Sequence, residues 1–210
     1  APTEIYTLSL HDALPIFFLG VIEAQVILGG LGFLVLHNLT TTKFWRRNLK
    51  MRGRVTLHSK IALKATLVLI AVGALAFLAL EWSHSLSGLS AMDKLTCALF
   101  HSVTPRTAGF NVVDMGRIQE STRFLTELLM LVGGSPGSAA GGIKTTTLVV
   151  LVMTVLAMCK GRQETVIQSR TVPNAVVREA LVIFLLAIVL ICTAFGLLLW
   201  TEAPLREGDA

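Results

Sequence analysis

Charge is what this sequence has least of. Asp, Glu, Lys and Arg make up 15% of its 210 residues, where a soluble domain carries about a quarter. That excludes a water-soluble globule. A mean hydropathy of +0.71 and 53% hydrophobic residues make the chain an integral membrane protein. Acids are missing altogether where bases gather: Lys43 to Lys60 holds Lys43, Arg46, Arg47, Lys50, Arg52, Arg54 and Lys60 but no Asp or Glu. Basic loops between apolar runs follow the positive-inside pattern, so the net charge of +5 sets topology, and no nucleic-acid partner is expected. Cysteine is sparse too. Cys97, Cys159 and Cys192 stand singly, without metal-site or redox spacing, and read as small apolar residues.

A signal-peptide layout is also absent. Residues 1–16, APTEIYTLSLHDALPI, resemble instead the conceptual translation of a sequencing adapter joined in frame. On that reading they are artefactual, the natural protein begins at or before Phe17, and the chain is a fragment.

Apolar runs are abundant. Phe17 to Leu36 is long enough to span a bilayer. Its Glu23 and Gln25 should face protein or water, while Gly29, Gly30 and Gly32 permit close helix packing or a local bend. After the basic loop, which is then cytoplasmic, Ile61 to Leu80 is a second span, with Lys64 able to snorkel and Glu81-Trp82 at the far interface. Asn38-Leu39-Thr40 fits the glycosylation sequon but lies on the cytoplasmic side and is discounted. Ala91 to Val103 has helical periodicity, with Leu95, Leu99, Phe100 and Val103 on one side. It is too short to cross, so it reads as a re-entrant half-helix. Thr104-Pro105-Arg106-Thr107-Ala108-Gly109-Phe110-Asn111 follows, where proline ends the helix and glycine opens backbone geometry closed to other residues. Phe124 to Val132 resumes an apolar span that Leu148 to Met158 completes. Lys160, Arg162, Arg170 and Arg178 mark a second cytoplasmic loop, and Ala180 to Trp200 is a last uninterrupted span.

The interruption at Gly133 to Thr147, GGSPGSAAGGIKTTT, is the centre of the sequence. In hydrocarbon each unsatisfied backbone group costs several kcal/mol, so such a break must be buried in protein or line a water-filled path. That points to a channel or transporter. Two enzyme motifs overlap it. Gly133-Gly134-Ser135-Pro136-Gly137 fits the nucleophile elbow, but a strand should precede it and a histidine base should be in reach. His101 is the nearest candidate by topology and has no evident orienting acid. Gly137 and Gly142 have phosphate-loop separation, yet Ile143 intervenes before Lys144-Thr145 and no strand leads in. Upstream, a half-helix followed by an extended glycine-bearing segment and a span is the plan of an ion filter: carbonyls replace the ion's water while the helix points its negative end at the cation. Thr107 to Phe110 would present those carbonyls, with a plain external loop as the alternative. An intramembrane serine hydrolase using Ser135 and a non-transporting membrane scaffold remain as other readings.

HSVTPRTAGFN (His101 to Asn111) followed by GGSPGSAAGGIKTTT closely resembles the third repeat of the Trk/Ktr/HKT superfamily of potassium transport proteins, most of all the bacterial Ktr-type membrane subunit. GGLGF (Gly29 to Phe33) and RVTLHSK (Arg54 to Lys60) resemble that family's second-repeat inner helix and cytoplasmic linker. The resemblance implies an all-α membrane protein built of four fused helix–pore-loop–helix units around one ion path. On that mapping 17–39 is the inner helix of repeat two and 40–60 the basic linker. Repeat three is complete over 61–160, with outer helix 61–81, pore helix 91–104, filter 105–111 and broken inner helix 122–160. A cytoplasmic loop, 161–177, leads to the outer helix of repeat four, 178–200, and a truncated external tail, 201–210. Repeat one, most of repeat two and the fourth filter are missing, so the chain would not conduct alone.

The resemblance further implies a filter of Arg106, Thr107, Ala108, Gly109 and Phe110, with K⁺ held by backbone carbonyls of Thr107, Ala108 and Gly109, joined by that of Arg106. The Arg106 side chain would pack behind the filter. It implies a gate loop of Gly133, Gly134, Ser135, Pro136, Gly137, Ser138, Gly141, Gly142 and Lys144, made mobile by its glycines, with Ser135, Ser138 and Thr145 as polar groups that neighbours or water can satisfy. Lys144 is either a gate charge or the partner of an acid in a missing repeat. The cargo is then potassium, with sodium as the alternative. No enzymatic activity and no cofactor are expected. The implied partners are membrane lipid, the protein's own other repeats, a cytosolic nucleotide-binding regulatory subunit and a second copy, in the inner membrane of a prokaryote.

Overall fold

The structure, a computed structural model, describes residues 16–41, 56–106, 108–109, 113, 116, 118–162, 164–168 and 170–207. The adapter-like residues 1–15 and most of the basic linker, 42–55, lie outside the described residues. The chain divides into two units, Ala1–Thr146 and Thr147–Ala210.

In the first unit, α1 (Ile16–Leu31) and α2 (Phe33–Leu39) replace the single span expected over Phe17 to Leu36. The two meet at Gly32 with a bend of 97°. α3 (Leu57–Glu81) starts earlier than hydropathy suggests, because the Thr56 hydroxyl caps it by accepting from the Ser59 N–H at 3.3 Å. Asn38, the discounted sequon residue, donates to the same hydroxyl at 3.2 Å and so ties α2 to the start of α3. α4 (Ala91–Val103) begins at a reciprocal cap, in which Ser90 Oγ accepts from the Asp93 N–H and donates to its carboxylate at 2.8 Å. α5 (Glu120–Leu131) then runs to the break in the apolar span.

α4 packs on α3 and α1, and α5 packs on α3. Leu19, Ala74, Phe77, Leu86, Cys97, Ala98 and Phe100 form the buried cluster between them. Gly73 makes the α3–α4 contact possible: a Cβ there would collide with Ser102 Oγ and come within 3.2 Å of Leu129 Cδ1. Ser102 uses that closeness to donate to the Ile70 carbonyl at 2.8 Å. Small residues at helix interfaces and bonds to neighbouring backbone hold helices together where lipid is as apolar as leucine. Burial along α4 does not track the side that Leu95, Leu99, Phe100 and Val103 share. Leu95 is exposed, whereas Cys97, Ala98, Phe100, His101, Ser102 and Val103 are all buried. In the C-terminal half of α4 only Leu99 is less than fully buried, because that half packs among the other helices, so burial follows depth more than a face.

The second unit continues α6 (Thr145–Cys159), which starts at the end of the first. Its last carbonyls are closed by Gly161 N–H to Met158 and Arg162 N–H to Ala157, both 2.9 Å. The segment expected to be a plain cytoplasmic loop contains a small antiparallel hairpin, β1 (Val166–Ile167) with β2 (Arg170–Thr171), in which Val166 faces Thr171. α7 (Asn174–Glu207) is longer at both ends than the expected 178–200. Among the described residues Leu57–Glu81 and Asn174–Thr201 are each long and apolar enough to cross a membrane, and the bent α1–α2 pair is a third if taken as one span.

Candidate ion pathway: a half-helix, a glycine turn and a closed loop in a broken span

The C-terminal end of α4 delivers the chain into Thr104 to Gly109. Proline at 105 removes a donor and forces the turn. The Arg106 N–H donates to Val103 O at 3.2 Å and the Ala108 N–H to Thr104 O at 3.1 Å. Gly109 has φ +76°, a conformation that costs an L-residue about 1–2 kcal/mol. Of the expected filter, Arg106, Ala108 and Gly109 are described, while Thr107 and Phe110 lie outside the described residues. Arg106 is 8% exposed and lines a narrow crevice together with Val26, Ile27, Gly30, Thr66, Val103 and Gly134. That crevice brings α1, α3, the end of α4 and the start of the 133–144 loop to one place.

The break itself is closed by its own backbone. Val132 and Ile143 form an isolated bridge, with Gly133 N–H to Ile143 O at 3.0 Å and Ile143 N–H to Leu131 O at 3.1 Å. The Thr145 N–H reaches Gly134 O at 3.1 Å. Ser135, fully buried, has its hydroxyl 3.2 Å from that of Thr145. Lys144 Nζ donates to the Ala140 carbonyl at 2.6 Å. The Ser138 hydroxyl makes no hydrogen bond among the described residues. Glycine is required sterically at two positions: a Cβ at 133 would collide with the Gly141 carbonyl, and one at 134 would lie 2.7 Å from Gly30 O and 2.8 Å from Ala140 Cβ.

Two further bonds fasten this loop to the bend in the first span. The Ser135 N–H donates to Gly30 O at 2.8 Å, and the Phe33 N–H donates to Gly137 O at 3.1 Å. Gly32, at φ +78°, sits against the loop so closely that a Cβ would lie 2.8 Å from Pro136 O, Gly137 C and Ser138 N. Backbone groups left open at the Gly32 bend are thus satisfied by those of the 133–138 loop, so neither stretch leaves these polar groups unpaired. Sequence reasoning allowed Gly29, Gly30 and Gly32 close helix packing or a local bend, without linking them to residues 133–138. The visible signal was three glycines in four residues.

Sequence reasoning also missed Glu81. It is fully buried and accepts from the Ser85 N–H at 3.1 Å, the Gln119 N–H at 2.9 Å and the Thr122 hydroxyl at 2.5 Å. A buried carboxylate at the end of an apolar helix could have flagged itself, but two of its three partners, Gln119 and Thr122, lie 38 and 41 residues downstream and carry no local signature.

A mostly helical chain with long apolar helices, a thirteen-residue helix ending at a proline and glycine turn, and a glycine-rich loop closed on a bent helix pair fit an all-α membrane transport fold with a pore-loop-like unit. The chain belongs to the family of TrkH cation transport proteins, whose model matches residues 9–204. It is 36% identical over 190 residues to the Ktr system potassium uptake protein B of Bacillus subtilis, covering 89% of this chain and 41% of that protein. It is likewise 36% identical over 203 residues to the potassium/sodium uptake protein NtpJ of Enterococcus hirae, covering 95% of this chain and 43% of the relative. The crystal structure of the potassium transporter TrkH from Vibrio parahaemolyticus shares the fold with a TM-score of 0.68 at 18% identity, over 87% of this chain and 39% of that one. The chain spans about two fifths of the length of these curated relatives. It is a membrane protein of a transport family, not an enzyme, and the hydrolase reading of Ser135 falls. The geometry agrees: His101 Nε2 is 2.9 Å from Thr126 Oγ1 and Ser135 is paired with Thr145.

Proposed function

We propose that this chain carries one helix–half-helix–helix repeat, with flanking helices, of a multi-pass potassium uptake protein of a prokaryotic inner membrane. Residues 61–160 are the repeat, 17–39 an inner helix of the preceding one, and 178–200 an outer helix of the next. Carbonyls of Arg106 to Gly109 replace the hydration shell of K⁺, and Phe110 completes the filter segment. The half-helix points its C-terminal dipole at the ion. Sodium is the alternative cargo, as the Enterococcus relative is a potassium/sodium uptake protein by name.

Gly133 to Lys144 closes the path beneath. The observation that carries this reading is the loop's double attachment to the bent first span, through Gly30 and Phe33, next to the crevice that Arg106 lines. The same geometry favours an internal role for Lys144, whose ammonium holds the loop's own Ala140 carbonyl, over a distant acid. The basic segments Lys43 to Lys60 and Lys160 to Arg170 face the cytoplasm and are the surface on which a cytosolic nucleotide-binding subunit docks. Lipid, further repeats of the full-length chain and a second copy complete the assembly.

Deleting Gly137 to Gly141 in the full-length protein is expected to raise basal K⁺ flux in reconstituted vesicles. Unchanged flux, with protein present at normal levels, would refute the gate.

A further inference from the structure

We propose that Glu81 is a positioning residue for the ion filter, holding the far anchor of the loop that carries Gly109. The proposal rests on the filter reading above. The stretch from Thr104 to Ile118 is strung between two sets of buried polar contacts, and both sets are made to the same two helices.

At its start, Ser102 Oγ donates to Ile70 O of α3 at 2.8 Å, and His101 Nε2 lies 2.9 Å from Thr126 Oγ1 of α5. Thr126 spends its single proton on the Thr122 carbonyl at 2.8 Å. Its oxygen therefore accepts, and His101 carries its proton on Nε2. The His101 ring also stacks on Phe77 of α3, with centroids 4.1 Å apart.

At the other end, the Glu81 carboxylate of α3 takes the Gln119 N–H and the Thr122 hydroxyl through Oε1, and the Ser85 N–H through Oε2. Gln119 is the N-cap residue of α5 and makes no side-chain cap of its own, so Glu81 serves as that cap from a different helix. Thr122 and Thr126 are one turn apart on α5 and join the two anchors into one line: Glu81, Thr122, Thr126, His101. Glu81, Thr122, Thr126, His101 and Ser102 are all buried.

A carboxylate suits this place because every group facing it is a donor. Ionised, it offers two oxygens and no proton. A glutamine would present one oxygen and an NH₂ group, leaving a buried donor opposed by another donor. An aspartate falls one methylene short of α5. The spacing of carbonyls around an ion depends on where both ends of the loop are held. Loosening the Gln119 end should therefore change which ion fits, beyond any loss of stability.

The test uses the full-length transporter, expressed in cells lacking their own potassium uptake. The readout is the ratio of KM for K⁺ and Na⁺, measured alongside membrane abundance and the melting temperature of purified protein. E81Q and T122V are each expected to shift the ratio about threefold or more, the scale of one lost hydrogen bond, while T122S, which keeps the donor, restores it. T122V removes one donor at nearly constant volume and carries the test if E81Q fails to accumulate. G109S is the control on the filter itself. Lower abundance or melting temperature in T122V with an unchanged ratio overturns the proposal when G109S does alter the ratio. If G109S leaves the ratio untouched as well, the filter reading falls and takes this proposal with it.

Discussion

Gly109 and Gly133 look alike in the sequence and are needed for different reasons. At Gly109 an added Cβ would meet nothing within 4 Å, and the constraint is its φ of +76°. At Gly133 the backbone is unexceptional, and the obstacle is the Gly141 carbonyl lying where the Cβ would be. G109S should therefore fold, at a cost of about 1–2 kcal/mol for a left-handed residue, while its carbonyl turns away from the direction the wild-type backbone fixes. The expected result is a reduced preference for K⁺ over Na⁺ in competitive uptake, with abundance near wild type; an intact preference would count against Gly109 as a filter residue. Both glycines stood out in the sequence. Which constraint acts on each could not be read there, because a φ angle and a neighbour from eight residues away are properties of the folded chain.

At the scale of elements, the short helix over Ala91–Val103 and the non-helical stretch between Leu131 and Thr145 were legible because each violates a rule that hydropathy makes visible. Thirteen residues are too few to cross, and a run of glycine and serine does not belong in hydrocarbon. The bend between α1 and α2 was not legible in the same way. Gly29, Gly30 and Gly32 permit a bend, but permission is not direction, and its size of 97° accompanies the two bonds that residues 135 and 137 make with Gly30 and Phe33. G32A places a Cβ 2.8 Å from three backbone atoms of the loop at a left-handed φ, so either the bend or the loop must give way. In the gated reading this raises basal K⁺ efflux from loaded vesicles and lowers the melting temperature. A variant with wild-type closure would separate the bend from the gate. The burial of α4 makes the same point: Leu95, Leu99, Phe100 and Val103 were grouped by periodicity, yet Leu95 is 45% exposed, because depth in the bundle outweighs the helical face.

At the largest scale, α7 is apolar around its circumference, with Leu190 70% and Trp200 76% exposed. Its length and hydropathy suit a surface covered by lipid or by protein in the membrane. In the four-repeat reading one filter segment supplies a quarter of the coordinating carbonyls, so the segment reconstituted alone is expected to give no K⁺ flux above empty vesicles, while the full-length protein conducts. Robust flux from the segment alone would contradict the four-repeat arrangement. The amino-acid sequence by itself determined the class: scarce charge, basic loops, a half-length helix and a polar break in a span leave little but a membrane transport protein, since each follows from the local cost of placing polar groups in hydrocarbon. The closure of the 133–145 loop on the Gly32 bend, and the Glu81 line bracing α4 and α5, were decided only by the tertiary structure. Their long-range hydrogen bonds join donors and acceptors 25 to 105 residues apart, and the partner of a buried polar group is chosen by proximity in the fold, which no local pattern encodes.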